Sequence, residues 1–299
     1  MLLSVQQKRK LSASVSFIPS KRQLSAQHHP QSWEEEYFAD TEAILGGPRR
    51  WTCDVGQTPL RFPSTTLVSV QPLDQPLPGA PAQVWLIQGH FGSCAAKLFN
   101  PYTDGDAVSQ LAQLPHPKPS LEKVKHDHNP FLQEMKAYEQ IRKFCPESQR
   151  HFFLNYHGII DIPWESGRRQ GVVTDLLQPG IQDRRLQSAS VPEAFRPYLD
   201  ELQFALVNAD LSDVEGSWYL SVLNSRLKMV TVLHALGISH GDIKGDSFGL
   251  PQSLHDIALH DFSRSYTFTP ERPCRLRVDP LKQVMDVERR QVQQTVLDM

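Results

Sequence analysis

The sequence predicts an α+β fold in two unequal parts. Three observations carry this. Residues 65–73 alternate β-branched side chains as a strand does, and residues 82–99 read as two strands around a tight turn. Residues 129–144 place Phe131, Met135, Tyr138 and Ile141 on one face at helical spacing. Residues 219–238 form a long amphipathic pattern closed by Gly237, and little strand texture follows it. Strands with one helix come first, helices afterwards, and this segregated order is an α+β order.

The elements follow in chain order. Residues 1–31 carry Lys8, Arg9, Lys10, Lys21 and Arg22 without an acidic residue, in a Ser- and Gln-rich background. They are expected to be a disordered basic tail. Its two basic clusters fit a bipartite nuclear import signal, and Ser12 and Ser25 each stand three residues after an arginine. A solvated tail without specific use fits equally well. In the extension 32–64, residues 32–45 read as a short acidic helix capped by Ser32. "TTLVSVQPL" (65–73) is a strand, and "AQVWLIQGHFGSCAAKLF" (82–99) is two strands around a turn near His90–Ser93. "QGVVTDLL" (170–177) is an apolar strand, and "DIALHDFSRS" (256–265) a short strand with its exit. The segment 181–217 carries no readable motif. The last helix, about 280–298, reads as polar and poorly amphipathic.

Composition excludes several classes. A formal net charge of -2 gives the body of the chain no reason to bind nucleic acid. The four cysteines form no C-x-x-C pair, so neither a zinc site nor a disulfide framework is expected, and a reducing intracellular compartment, cytoplasmic or nuclear, fits best. No apolar run reaches about 18 residues, so no membrane span is expected. "MLLSVQQKRK" lacks the apolar stretch of a secretory signal. The 23 prolines point to long irregular connections. His126 and His128 in "KHDHNP" invite a metal reading, but without a third ligand at motif spacing a solvated loop is the better expectation.

Chemistry concentrates in "SHGDIKGDS" (239–247), which holds a His, an Asp and a Lys within five residues. It follows the helix ending in "LHALGISH". "HDFSRS" lies downstream, and "CAAKLF" and "FLQEMKAYEQI" upstream. In this order the four fragments resemble the catalytic loop, the metal-binding D-F-G, the V-A-I-K strand and the partner-glutamate helix of the protein-kinase-like superfamily. The resemblance covers about residues 65–265. It implies a two-lobed fold: a small lobe (65–177) of antiparallel strands plus one helix, and an incomplete, mainly helical large lobe (178–299).

The resemblance also implies ATP and Mg²⁺ as cofactors, and roles for named residues. Lys97 holds the α- and β-phosphates and Glu134 orients it, with Glu139 as the competing partner. Ala95 and Val84 contact the adenine, Asp261 binds Mg²⁺, Asp242 accepts the hydroxyl proton and Lys244 neutralises the transferred phosphoryl. Ser247 stands where the family has its second metal ligand, an Asn. Each residue has a plain reading too: Lys97 and Glu134 as surface charges, Asp242 as a loop cap, Asp261 as a turn former. His240 reads as a packed structural residue.

The departures are specific. Gly89 and Gly92 lie too close to Lys97 to be the phosphate loop and belong to a hairpin between the second and third strands. The phosphate loop is then 74–84, with Gly79 flanked by Pro78 and Pro81, which lack the N–H such a loop offers. Ser263 replaces the D-F-G glycine, and Gly241 replaces the arginine that senses a phosphorylated activation loop, a form that also resembles small-molecule phosphotransferases. Only 36 residues follow Ser263, without an A-P-E. On this reading no helices remain to complete the large lobe, and the 219–238 helix exposes apolar surface that a protein partner covers. The expected function is phosphoryl transfer from Mg-ATP to a protein hydroxyl. The alternatives are an impaired pseudokinase acting as an interaction module and a small-molecule phosphotransferase.

Overall fold

The computed structural model of the protein describes residues 58–63, 67–73, 80–90, 92–114, 118–164, 167–178, 191–207, 209, 211–253, 256–268, 274–275 and 279–299. The basic tail, the helix expected at 32–45 and positions 74–79 of the expected phosphate loop, including Pro78 and Gly79, lie outside the described residues.

Five strands form one antiparallel sheet: β1 (Leu67–Pro72), β2 (Ala82–Gly89), β3 (Gly92–Phe99), β4 (Tyr156–Trp164) and β5 (Gly167–Thr174), in the order β1-β2-β3-β5-β4. Gly89 pairs with Gly92 at the end of the β2–β3 ladder, and Gly92 has a positive φ of 97°, which glycine adopts without strain. The hairpin expected for these glycines is therefore present. Ala82 to Val84 belong to strand β2, which shortens the loop expected at 74–84. "QGVVTDLL" is the second arm of a further hairpin. Its first arm, β4, escaped sequence analysis because "YHGIIDIPW" mixes a Gly and a Pro into the strand.

Side-chain alternation sorts the sheet into two faces. On one face Ile87, Cys94, Ala96, Leu98, Ile160 and Val173 pack with Phe62. Phe99, Ile159 and Val172 point to the other face and join the main core. Lys97 lies on this second face, directly opposite Val84 and Val172.

Three helices, not one, interrupt the sheet: α1 (Asp104–Gln113), α2 (Leu121–His128) and α3 (Pro130–Phe144). Local chemistry starts each one. Thr103 and Asp106 form a capping box, Ser120 accepts the Lys123 N–H, and Asn129 accepts the N–H groups of Phe131 and Leu132 with Pro130 in the first turn. The loop expected around His126 and His128 is thus the end of a helix. On α3, Phe131, Tyr138 and Ile141 are buried, as their spacing predicts.

The rest is mainly helical, with α4 (Arg196–Val207), α5 (Asp213–Ala235) and α6 (Leu281–Leu297). α5 begins six residues earlier than its apolar pattern suggests, because Ser212 and Glu215 form a second capping box. It is not amphipathic along its length. From Val222 to Ala235 every residue except Lys228 is buried. Full burial of Leu223, Leu227 and Leu233 contributes about 2 kcal/mol each.

The expectation of an exposed, uncompleted helix is overturned here. α6 lies against α5 and buries Met285, Val292 and Val296. Its polar text misled because Glu288, Arg289, Gln293 and Thr295 are buried as well. The surface for which a covering partner was inferred is covered by the chain itself. Among the described residues no helix is long and apolar enough to cross a membrane.

Two short ladders tie the loops after α5 together: β6 (Ile238–Ser239) with β9 (Tyr266–Thr267), and β7 (Phe248–Gly249) with β8 (Ala258–Leu259). The exit of β5 is fixed to the same region. Gln178 N–H donates to the Leu250 carbonyl at 2.7 Å, and Gln252 N–H to that of Leu176 at 2.8 Å. Asp175, at this junction, accepts from Asn155 Nδ2 at 2.7 Å, from His157 Nε2 at 2.6 Å and from the Ser253 hydroxyl.

Candidate functional site

Lys97 is the centre of the site. β3 delivers its ammonium beneath the sheet, where Glu134 Oε2 of α3 receives it at 2.6 Å and Asp261 Oδ1 pairs with it from the other side. The three residues are brought together across 37 and 164 positions of sequence. Glu139, the competing partner, is engaged elsewhere: it accepts the Leu60 N–H at 2.9 Å and pairs with Arg142 at 2.7 Å.

One ammonium between two carboxylates leaves a net negative charge in a half-buried place. Burial pushes the Glu134 carboxyl up to about 7, with Lys97 opposing and Asp261 reinforcing. Burial would also raise Asp261, but Lys97 and the Ser263 hydroxyl, which donates to Oδ1 at 2.8 Å, hold it well below the usual carboxylate range. Burial would lower Lys97, and its two anionic partners keep it above its ordinary value. Asp261 has a positive φ of 66°, tolerable for Asp, and the only one among the described non-glycine residues.

The loop 240–247 packs beside this trio. His240 is fully buried, and its Nε2 donates to the His260 carbonyl at 2.9 Å, which fits a structural histidine. Asp242 is partly exposed. Lys244 Nζ and Arg264 Nε each stand 3.8 Å from its Oδ2. Gly241 has φ 80°, and a Cβ there would meet the Arg264 carbonyl oxygen at 2.1 Å, so only glycine fits. The missing side chain at 241 therefore lets the backbone of Arg264 close on the loop.

Ser247 is engaged within its own loop. It is fully buried, its hydroxyl donates to the Asp242 carbonyl at 3.2 Å, and it accepts the Lys244 N–H at 3.2 Å. As placed, it braces the loop. Ala95 and Val84 lie on the Lys97 face of the sheet, where Val84 is opposite Lys97 and Ala95 opposite Leu86 and Thr174.

Sequence analysis missed Glu288. Its Oε1 accepts the Gly241 N–H at 2.7 Å, and its Oε2 accepts the His240 N–H at 3.1 Å and His234 Nε2 at 2.7 Å. Burial would raise this carboxyl, yet these donors keep it below its ordinary range. Burial lowers His234, with Glu288 opposing. A single Glu in an otherwise plain polar helix gives no signal of this role.

Among the described residues no group of three or more His, Cys, Asp or Glu side chains could cage a metal ion. Asp261 is the carboxylate available to a divalent cation that brings its other ligands as phosphate oxygens and water, the usual habit of Mg²⁺. Searched against models of known protein families and against curated proteins, the chain finds no match.

Proposed function

We propose that the chain is a divergent member of the protein-kinase-like superfamily. On this reading residues 65–177 and 178–299 are its two lobes, and it transfers the γ-phosphoryl of Mg-ATP to a protein hydroxyl. One observation carries the reading: the Lys97 ammonium gripped by Glu134 and Asp261. Phosphoryl transfer needs positioned charge more than covalent help, and this trio supplies it. Its surplus negative charge suits Mg²⁺ at Asp261, while Lys97 takes the α- and β-phosphates. Asp242 accepts the proton of the acceptor hydroxyl, and Lys244, beside it, neutralises the transferring group. Val84 and Ala95 offer the apolar wall for the base.

The test is transfer of labelled γ-phosphate to the chain itself and to a peptide library. The wild type is expected to exceed Asp242→Asn by about a hundredfold or more, the usual contribution of a positioned base. Equal rates would end the enzymatic reading.

A second reading, an interaction module that binds nucleotide without transferring phosphate, is favoured by Ser247. Its buried hydroxyl is held by the loop backbone, so the usual second metal ligand is not offered. Saturable Mg-ATP binding with no transfer would select it. Phosphorylation of a small molecule has no support beyond Gly241.

A further inference from the structure

Phe204 and Val207 are the most exposed large apolar side chains among the described residues, at 75 % and 74 %. Val214, in the first turn of α5, is 63 % exposed. The fold does not use this face of α4. The helix turns Leu199 and Leu202 into the core, with Tyr198 and Leu206 packed against it. Asp200, Phe204 and Val207 fall on the opposite, solvent-facing stripe, at i, i+4 and i+7. Single exposed apolar residues are ordinary, but a Phe and a Val side by side on one stripe mark an interaction surface. Charge points to what covers it. From Pro197 to Ser225 the sequence has no Lys, Arg or His. Asp200 and Glu201 on α4, and Asp213 and Glu215 in the first turn of α5, are exposed. The two helices pack against each other, so these acids flank the apolar stripe. The surface suits a basic segment with an apolar anchor.

The same chain carries such a segment twice. Residues 8–13 read Lys-Arg-Lys-Leu-Ser-Ala and residues 21–26 read Lys-Arg-Gln-Leu-Ser-Ala. Each repeat sets a leucine just after a Lys-Arg pair, and no acid occurs in residues 1–31. Residues 27–57 join the second repeat to Thr58, where the described chain begins. As a flexible coil that length spans about 30 Å, and roughly 100 Å when extended, enough to reach any face of a domain of this size. We propose that the repeats at 8–13 and 21–26 dock on the α4 stripe of their own chain. Leu11 or Leu24 packs on Phe204 and Val207, and the Lys-Arg pairs face Asp200, Glu201, Asp213 and Glu215. Tethering holds the segment at roughly millimolar local concentration, so a contact too weak to form between separate molecules is populated. None of these residues belongs to the Lys97 site, so the inference stands whether or not the chain binds nucleotide.

The full chain is tested in two ways. Trypsin cleavage after Arg9, Lys10, Lys21 and Arg22 is timed, and lysines are joined to carboxylates with a carbodiimide in an equal mixture of unlabelled and ¹⁵N-labelled protein. Both are read by mass spectrometry. One double variant is Phe204→Ser with Val207→Ser, which spares the core because both side chains are exposed. The other, Leu11→Ser with Leu24→Ser, alters the tail alone. Each is checked for an unchanged melt. Tail cleavage in the wild type is expected to be about fivefold slower than in either variant, since only the undocked fraction is cut. The difference is expected to shrink in about 0.5 M NaCl, which screens exposed charges. Cross-links from Lys8, Lys10 or Lys21 to Asp200, Glu201, Asp213 or Glu215 are expected within chains of one isotope, and to be lost in both variants. Equal cleavage in wild type and variants, or no tail cross-link to these four acids, overturns the inference. Cross-links that join unlabelled to labelled chains place the tail of a second copy on α4, and overturn it as well.

Discussion

Glu288 accepts the backbone N–H of Gly241 at 2.7 Å, which ties the last helix to the loop that carries Asp242. The same carboxylate holds the His240 N–H and His234, so it satisfies three donors at once, two of them buried. Removing an acceptor from a buried donor costs about 1–3 kcal/mol per orphaned group. Glu288→Ala is therefore expected to destabilise the protein by about 3 kcal/mol or more in urea unfolding. Glu288→Gln keeps an acceptor oxygen and is expected to cost less. Equal stability of Glu288→Ala and wild type would mean that the loop does not depend on the helix.

The surroundings of Gly241 make glycine obligatory at this position. The Arg264 carbonyl occupies the space of any Cβ, and the φ of 80° strains every other residue. Gly241→Ala, and equally Gly241→Arg, are expected to cost about 2 kcal/mol or more and to displace Arg264 from Asp242. A crystal structure of Gly241→Ala with the 263–265 turn unmoved would contradict this.

The Lys97 trio has a pH signature. Glu134 titrates near 7 in the folded state against an ordinary value of 4.5. Between these values the folded protein holds a proton that the unfolded chain has released. Stability from this group is thus fully present below about pH 4.5 and is lost as pH rises through 7. Asp261 acts oppositely: its depressed value contributes stability above its ordinary 3.8, which is lost at lower pH. The stability difference between wild type and Glu134→Gln is expected to shift against the wild type from pH 5 to pH 8. A difference that stays constant over that range would show that Glu134 is charged throughout.

α6 is expected to be indispensable, since its apolar side chains and Thr295, which accepts from Arg226 Nη1 at 2.7 Å, close the core around α5. Arg226 is itself fully buried against Phe248. Deleting residues 281–299 is expected to abolish the cooperative urea transition. An unchanged midpoint would place the stability elsewhere.

Much of the site was legible because its residues sit in compact local contexts. Strand and helix patterning placed the elements that carry Lys97 and Glu134, while singling out these two residues and the polar run 240–247 as a set rested on the resemblance of short fragments. Strand β4 was not legible, since its Gly and Pro broke the pattern, and α1, α2 and α4 lacked a long apolar repeat. The largest misreading was the last helix. Buried Glu288, Arg289 and Thr295 look like solvent-facing text until their partners, far away in sequence, are known. Ser247 teaches the same lesson in reverse, as a residue expected to be a metal ligand whose hydroxyl is taken up by its own loop.

Mg-ATP titration by calorimetry of the wild type, Lys97→Ala and Asp261→Ala tests the central claim most directly. The account expects saturable binding by the wild type and at least a tenfold weaker affinity, about 1.4 kcal/mol, in each variant. A folded wild type that binds no Mg-ATP, or variants that bind it as tightly, would show that the trio of Lys97, Glu134 and Asp261 is an ion-pair network of the fold and not a nucleotide site.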